Sequence, residues 1–117
     1  MMDLAHVQEL LSSKPAASEE RPFGPETLVF KVAGKMFALV GLTDSPLRIT
    51  LKCEPLQAEA LRASFSAIQP GYYMNKAHWN TITLDGTVPD SLVEEMIHAS
   101  YALVVKALPK AKRAALT

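Results

Sequence analysis

Apolar side chains recur along this chain in two rhythms, one helical and one alternating, and each predicts a type of element. Leu4, Val7, Leu10 and Leu11 fall at helical spacing behind Asp3, a residue able to cap first-turn amides. A short amphipathic helix should therefore open the chain and end near Ser12-Ser13-Lys14-Pro15, where proline cannot continue it. Ala16 to Glu26 reads as loop, with Phe23 as an aromatic anchor onto the core. Thr27 to Ala33 and Met36 to Leu42 read as strands joined by a tight turn at Gly34-Lys35. Leu47 to Cys53 alternates most cleanly: Leu47, Ile49, Leu51 and Cys53 point to one side, Arg48, Thr50 and Lys52 to the other.

Glu54-Pro55 begins a second helix with Leu61, Phe65 and nearby Ile68 as its buried stripe, and Pro70-Gly71 breaks the pattern. His78 to Leu84 is a further strand that ends at Asp85-Gly86. From Pro89-Asp90 to about Leu108 runs the longest helix, with Leu92, Met96, Ile97, Ser100, Leu103, Val104 and Ala107 on the face expected to lie on the sheet. Its early acids, Asp90, Glu94 and Glu95, and its late Lys106 suit the helix dipole. The tail beyond Pro109 holds room for one more short turn.

At 117 residues the chain suits one domain, 1–117, and its 49% hydrophobic and 21% charged content is that of a globular protein. Twelve basic residues balance twelve acidic ones, so a nucleic acid or an anionic surface must find a local patch, not a general field. Cys53 is the single cysteine, which excludes an internal disulfide and a cysteine-built zinc site and suits a reducing, cytoplasmic setting. No segment reaches the ~20 apolar residues that span a bilayer, and the start of the chain lacks the charge-then-apolar pattern of a leader.

Several strings stand in a distinctive order: Arg21-Pro22-Phe23-Gly24-Pro25-Glu26, Phe30-Lys31-Val32-Ala33-Gly34-Lys35-Met36-Phe37-Ala38, Leu51-Lys52-Cys53-Glu54-Pro55, and Pro70-Gly71-Tyr72-Tyr73-Met74-Asn75-Lys76-Ala77-His78-Trp79-Asn80-Thr81. Leu84-Asp85-Gly86, Val88-Pro89-Asp90, Ser100-Tyr101 and Leu108-Pro109-Lys110 follow. Together, over essentially the whole chain, they resemble the MmcQ/YjbR family of small bacterial proteins. The resemblance implies an α+β fold, an antiparallel sheet with helices packed on one face, related to secretion-chaperone-like domains. It also implies a double-wing mode of DNA binding in which strand and hairpin surfaces contact the duplex. Ala77 departs from a position that is often basic in the family, which removes a charge from the expected contact surface.

Asn75 to Thr81 collects a cation, an imidazole, an indole and amides, groups that hold phosphates and stack on bases. The same residues also suit a structural role, with Trp79 packed inward and His78 and Asn80 bonded to backbone. Arg48 and Lys52 share a strand face, and Lys31 can join them from a neighbouring strand. The candidate nucleic-acid set is thus Lys31, Arg48, Lys52, Lys76, His78, Trp79 and Asn80, with double-stranded DNA as the expected partner and a protein-binding, chaperone-like module as the alternative. A second cationic group, Lys106, Lys110, Lys112 and Arg113, reads as helix-end complementation and a frayed tail. Cys53 and His78 form the one nucleophile and base pair to consider, without a spacing that brings them together, and Cys53 reads as a small buried hydrophobe. His6 and His98 lack neighbouring ligands at metal spacing, so neither an enzyme, a metal nor a cofactor is expected.

Overall fold

The computed structural model describes residues 2–71 and 74–116, so Tyr72 and Tyr73 of the most distinctive string lie outside the described residues. Its framework is one six-stranded antiparallel sheet in the order β1-β2-β3-β4-β6-β5. The strands are β1 (Ala17–Glu20), β2 (Thr27–Val32), β3 (Lys35–Gly41), β4 (Arg48–Lys52), β5 (Ile68–Pro70) and β6 (Trp79–Thr83). Four helices complete it: α1 (Leu4–Ser12), α2 (Pro55–Ser64), α3 (Asp90–Lys106) and α4 (Lys110–Ala114).

Local rules account for most of these elements. Asp3 caps α1 by accepting from the His6 amide at 2.9 Å, and Pro55 opens α2 where a missing N–H costs nothing. The β2–β3 hairpin turns one residue earlier than its glycine suggests, at Ala33-Gly34, because both turn residues adopt positive φ (49° and 80°), the pair that matches strand twist. β1 forms inside the segment expected to be loop: its outer positions are exposed and carry no apolar alternation, and pairing with β2 is what makes it a strand. Phe23 is not an anchor. It is 65% exposed, on a turn held by the Gly24 amide to the Arg21 carbonyl and by Arg21 Nη1 to the Pro25 carbonyl.

Register fixes two faces. Phe30, Ala38, Leu51, Asn80 and Pro70 align across β2, β3, β4, β6 and β5 on the inner face, and Leu28, Val40, Ile49, Ile82 and Ile68 form the adjoining inner row. The apolar residues of these rows, apart from the exposed Pro70 at the sheet edge, build the core with Val7 and Leu11 of α1, Leu61 of α2 and Val93, Met96, Ile97 and Val104 of α3. α3 lies across β2, β3 and β4, and α2 covers β5 and β6. Burial on this scale, at roughly 25 cal/mol per Å² of apolar surface, is the main driving term of folding.

One irregularity organises the inner face. The pairing of β2 with β3 shifts between Phe30 and Lys31, a bulge that turns both Phe37 and Ala38 inward and brings Phe37 edge-on to Tyr101 at 5.3 Å. The bulge also leaves the β3–β4 ladder one rung short, since direct pairing begins at Ala38 with Leu51. The fully buried Ser100 hydroxyl of α3 fills that rung: it donates to the Phe37 carbonyl at 2.5 Å and accepts from the Lys52 amide at 2.9 Å. Farther along the same side, Tyr101 donates to the Pro15 carbonyl at 2.6 Å, Lys14 meets His98, and His6 sits 3.7 Å from Glu94, which ties α1 to α3.

Ser100→Ala should cost about 1–3 kcal/mol of unfolding free energy in a denaturant melt, because two backbone groups lose their partner in the interior. A cost no larger than that of an exposed Ser→Ala change on the same helix would show that water or strand movement replaces the hydroxyl.

Candidate functional site

The outer face of the sheet alternates with the core face. Glu20, Val29, Leu39, Thr50, Thr81 and Gln69 form one row across all six strands. Flanking it on one side, Thr27, Gly41, Arg48 and Thr83 align, and on the other Lys52 stands opposite Trp79. Val29 is fully buried although it lies on this side, so the accessible part is centred on β4, β6 and β5. There Thr50 and Thr81 join hydroxyls at 2.8 Å, and Arg48, Gln69, Pro70, Thr81 and Thr83 border a shallow depression of about 110 Å³.

The cations expected to converge are only partly brought together. Arg48 and Lys52 share the outer side of β4, four residues apart, which at ~3.3 Å per residue sets them about 13 Å apart along the strand. Lys31 lies on the same side two strands away and is ion-paired with Glu20 at 3.3 Å, so little of its charge is free to act. Lys76 belongs to a loop beside α2: its carbonyl accepts from Arg62 Nη1 at 2.8 Å. His78 is half-buried, and its backbone accepts the Cys53 amide at 2.7 Å.

Trp79 and Asn80 are structural. Trp79 is 9% exposed, and Gly71 presses its backbone against it: the Gly71 amide donates to the Trp79 carbonyl at 2.7 Å, and a Cβ on Gly71 would stand 2.7 Å from that of Trp79. With so little of Trp79 exposed, its indole has no open face for a base. Asn80, 2% exposed on the inner face, accepts from Arg62 Nη1 at 3.0 Å and donates to the Ala58 carbonyl at 3.3 Å, which locks α2 onto β6. A buried amide with such partners specifies how a helix docks. Arg62, which fastens both α2 and the 74–78 loop, carried no marker in the sequence beyond its charge.

On the inner face a larger hollow opens between α2 and α3. It encloses about 430 Å³ over a floor that includes Leu51, Asn80 and Ile82, with Leu61 and Gln57 on the α2 wall and Leu92, Met96, Ala99 and Leu103 on the α3 wall. Leu92 and Leu103 were expected to lie on the sheet; instead they flank this groove, because Val93, Ile97, Ser100 and Val104 occupy the sheet contact. The signal was present: α3 carries an apolar arc wider than one sheet contact requires.

Cys53 lines the same groove, half-buried. Burial pushes its thiol pKa up, the neighbouring Glu54 carboxylate adds to the rise, and the Glu54 amide and Arg62 pull the other way. A raised pKa lowers the thiolate fraction, which makes this sulfur a poorer nucleophile than an exposed cysteine. Among the described residues no cluster of three or more His, Cys, Asp or Glu could hold a metal, and no helix is long and apolar enough to cross a membrane.

The YjbR family model matches residues 12–103, a stretch that contains the hairpin, β4, α2, β6 and most of α3. The chain belongs to the YjbR family. It is 34% identical to the Escherichia coli K12 protein YjbR over 112 residues, 96% of this chain and 95% of that protein. YbdF of Escherichia coli O157:H7 is 37% identical over 89 residues, 76% of this chain and 73% of that one. Among solved structures, Deinococcus radiodurans DR2400, with its DUF419 domain, superposes with a TM-score of 0.94 at 43% identity, covering 99% of this chain and 88% of that one. A Pseudomonas syringae protein does so at 0.75 and 26% identity, covering 87% and 98%. The α+β fold, an antiparallel sheet with helices, is thus that of the YjbR family, whose members named here carry no stated activity.

For this YjbR-family chain the thiol provides a direct check on the groove. The folded-state pKa of Cys53 is raised, so the stability linked to it is complete below the unfolded value and is lost as pH rises through the folded one. The pH–rate profile of iodoacetamide alkylation should accordingly have a higher midpoint in the folded protein than in the urea-unfolded chain, and Glu54→Gln should move it down. A folded midpoint at or below the unfolded one would contradict the burial argument.

Proposed function

We propose that this YjbR-family protein is a non-enzymatic cytoplasmic binding protein whose outer sheet face takes the sugar-phosphate backbone of duplex DNA. The observation that carries this reading is the side-chain row of β4 and β6, with Arg48 and Lys52 about 13 Å apart and Thr50, Thr81 and Thr83 beside them. Cations and hydroxyls in this arrangement suit phosphate and sugar contacts, which position a protein without reading bases. The double-wing picture is narrowed accordingly: Trp79 is unavailable for stacking and Asn80 faces the core side, so no base readout is assigned to either.

A protein partner would draw on Phe23 and Leu56, which are 65% and 83% exposed. Isolated exposed apolar side chains are ordinary on protein surfaces, so the cationic row ranks first.

Fluorescence anisotropy with a labelled duplex tests the reading. Two phosphate contacts give a slope of roughly −2 for log affinity against log salt, about a tenfold loss between 50 and 200 mM. The Arg48→Ala/Lys52→Ala pair should flatten that slope towards zero, equally for unrelated sequences, whereas Lys76→Ala and Lys31→Ala should change it little. Absence of binding at the lowest salt, or an unaltered slope in the double variant, would remove the proposal.

A further inference from the structure

The groove between α2 and α3 opens on the helix side of the sheet, and of the residues that carry the reading above only Lys52 borders it. We propose that it is a binding site for a small, uncharged, mainly apolar molecule that carries a hydrogen-bond acceptor.

Size, lining and charge point to this class. At about 430 Å³ the groove falls in the range of roughly 300–1,000 Å³ typical of small-ligand sites. One turn of helix with its side chains, 10–12 Å across and 5.4 Å long, already occupies roughly 400–600 Å³, so a partner helix could seat no more than about a turn. The lining is aliphatic over most of its extent, from Leu51 and Ile82 on the floor to Leu61, Leu92 and Leu103 on the walls. α3 contributes the small side chains of Ala99 and Ala102 to the lining, where longer ones would take up part of the volume.

Polar groups are few and placed at definite points. Asn80 lies on the floor, held by Arg62 through its oxygen; of its two N–H groups one goes to the Ala58 carbonyl and the other has no acceptor among the described residues. That donor is fixed before any ligand arrives, the condition under which a hydrogen bond adds selectivity at small entropic cost. Two acids, Glu54 and Glu95, and two cations, Lys52 and Lys106, border the opening, so no net field favours an ion. A neutral ligand with a carbonyl or ether oxygen at one end fits both the donor and the balance of charge.

The test is a fluorescence titration of the full chain with the neutral probe N-phenyl-1-naphthylamine. Saturable enhancement at one probe per chain is expected, together with slower alkylation of Cys53 when the probe is bound. Ala99→Leu and Ala102→Leu, on the exposed side of a helix that tolerates leucine, should fill the groove and weaken binding by roughly tenfold or more while leaving the circular dichroism and melting temperature intact. Phe23→Ser, outside the groove, should leave binding as it is, and Asn80→Asp should shift preference away from acceptor-bearing analogues. No saturable binding, full affinity in a folded Ala99→Leu protein, tighter binding of the anionic naphthalene sulfonate, or displacement only by an amphipathic helical peptide would each overturn the assignment. Arg48→Ala, which lies outside the groove, should weaken DNA binding and leave this titration unchanged, so the two proposals fail separately.

Discussion

The arrangement depends on a single hydroxyl. Ser100, fully buried in the middle of α3, completes the hydrogen bonding between β3 and β4 at the point where the Phe37 bulge interrupts it. A helix that packs on a sheet through apolar contacts alone can slide, because dispersion is insensitive to direction. A buried hydroxyl that must satisfy one donor and one acceptor cannot, since a shift of an ångström would leave both backbone groups unpaired in the interior. The position of α3, and with it the wall of the groove, follows from that constraint.

The Arg62–Asn80 pair does for α2 what Ser100 does for α3. Asn80 takes an inner-face position in a strand whose neighbour on that face is Ile82, and Arg62 and the Ala58 carbonyl satisfy it. Between two helices pinned by polar contacts, the small side chains Ala99 and Ala102 leave the space unfilled, where free helices would close together. The cavity is thus a consequence of specific docking combined with small residues.

The two sides of the sheet divide the chemistry. The inner side combines aliphatic lining, a fixed amide donor and a thiol whose pKa burial raises. The outer side offers cations and hydroxyls with little depth. Electrical neutrality of the chain is not evidence against a local cationic row, but it limits what that row can do: with Lys31 engaged by Glu20, two cations act on β4, and two phosphate contacts give modest, salt-sensitive affinity.

What the residue order determined by itself was every element whose signal is local. The helices α1 and α3 were legible from spacing and the Asp3 cap, the start of α2 from Pro55, and β4 from strict alternation of Leu47, Ile49, Leu51 and Cys53 against Arg48, Thr50 and Lys52. Of the stripe expected for α2 only Leu61 lies in the helix, because the chain turns at Phe65 and Ile68, in β5, pairs with Ile82. The tertiary structure alone decided the rest. β1 and β5 exist because β2 and β6 offer them edges; the side that Trp79 faces follows from its pairing opposite Lys52, and its burial from neighbours outside its own strand; and the groove depends on where two helices stop relative to each other. Periodicity reports which side chains share a face, but whether that face meets solvent, a helix or a hollow is set by partners far away in the chain, and no local pattern encodes their distance.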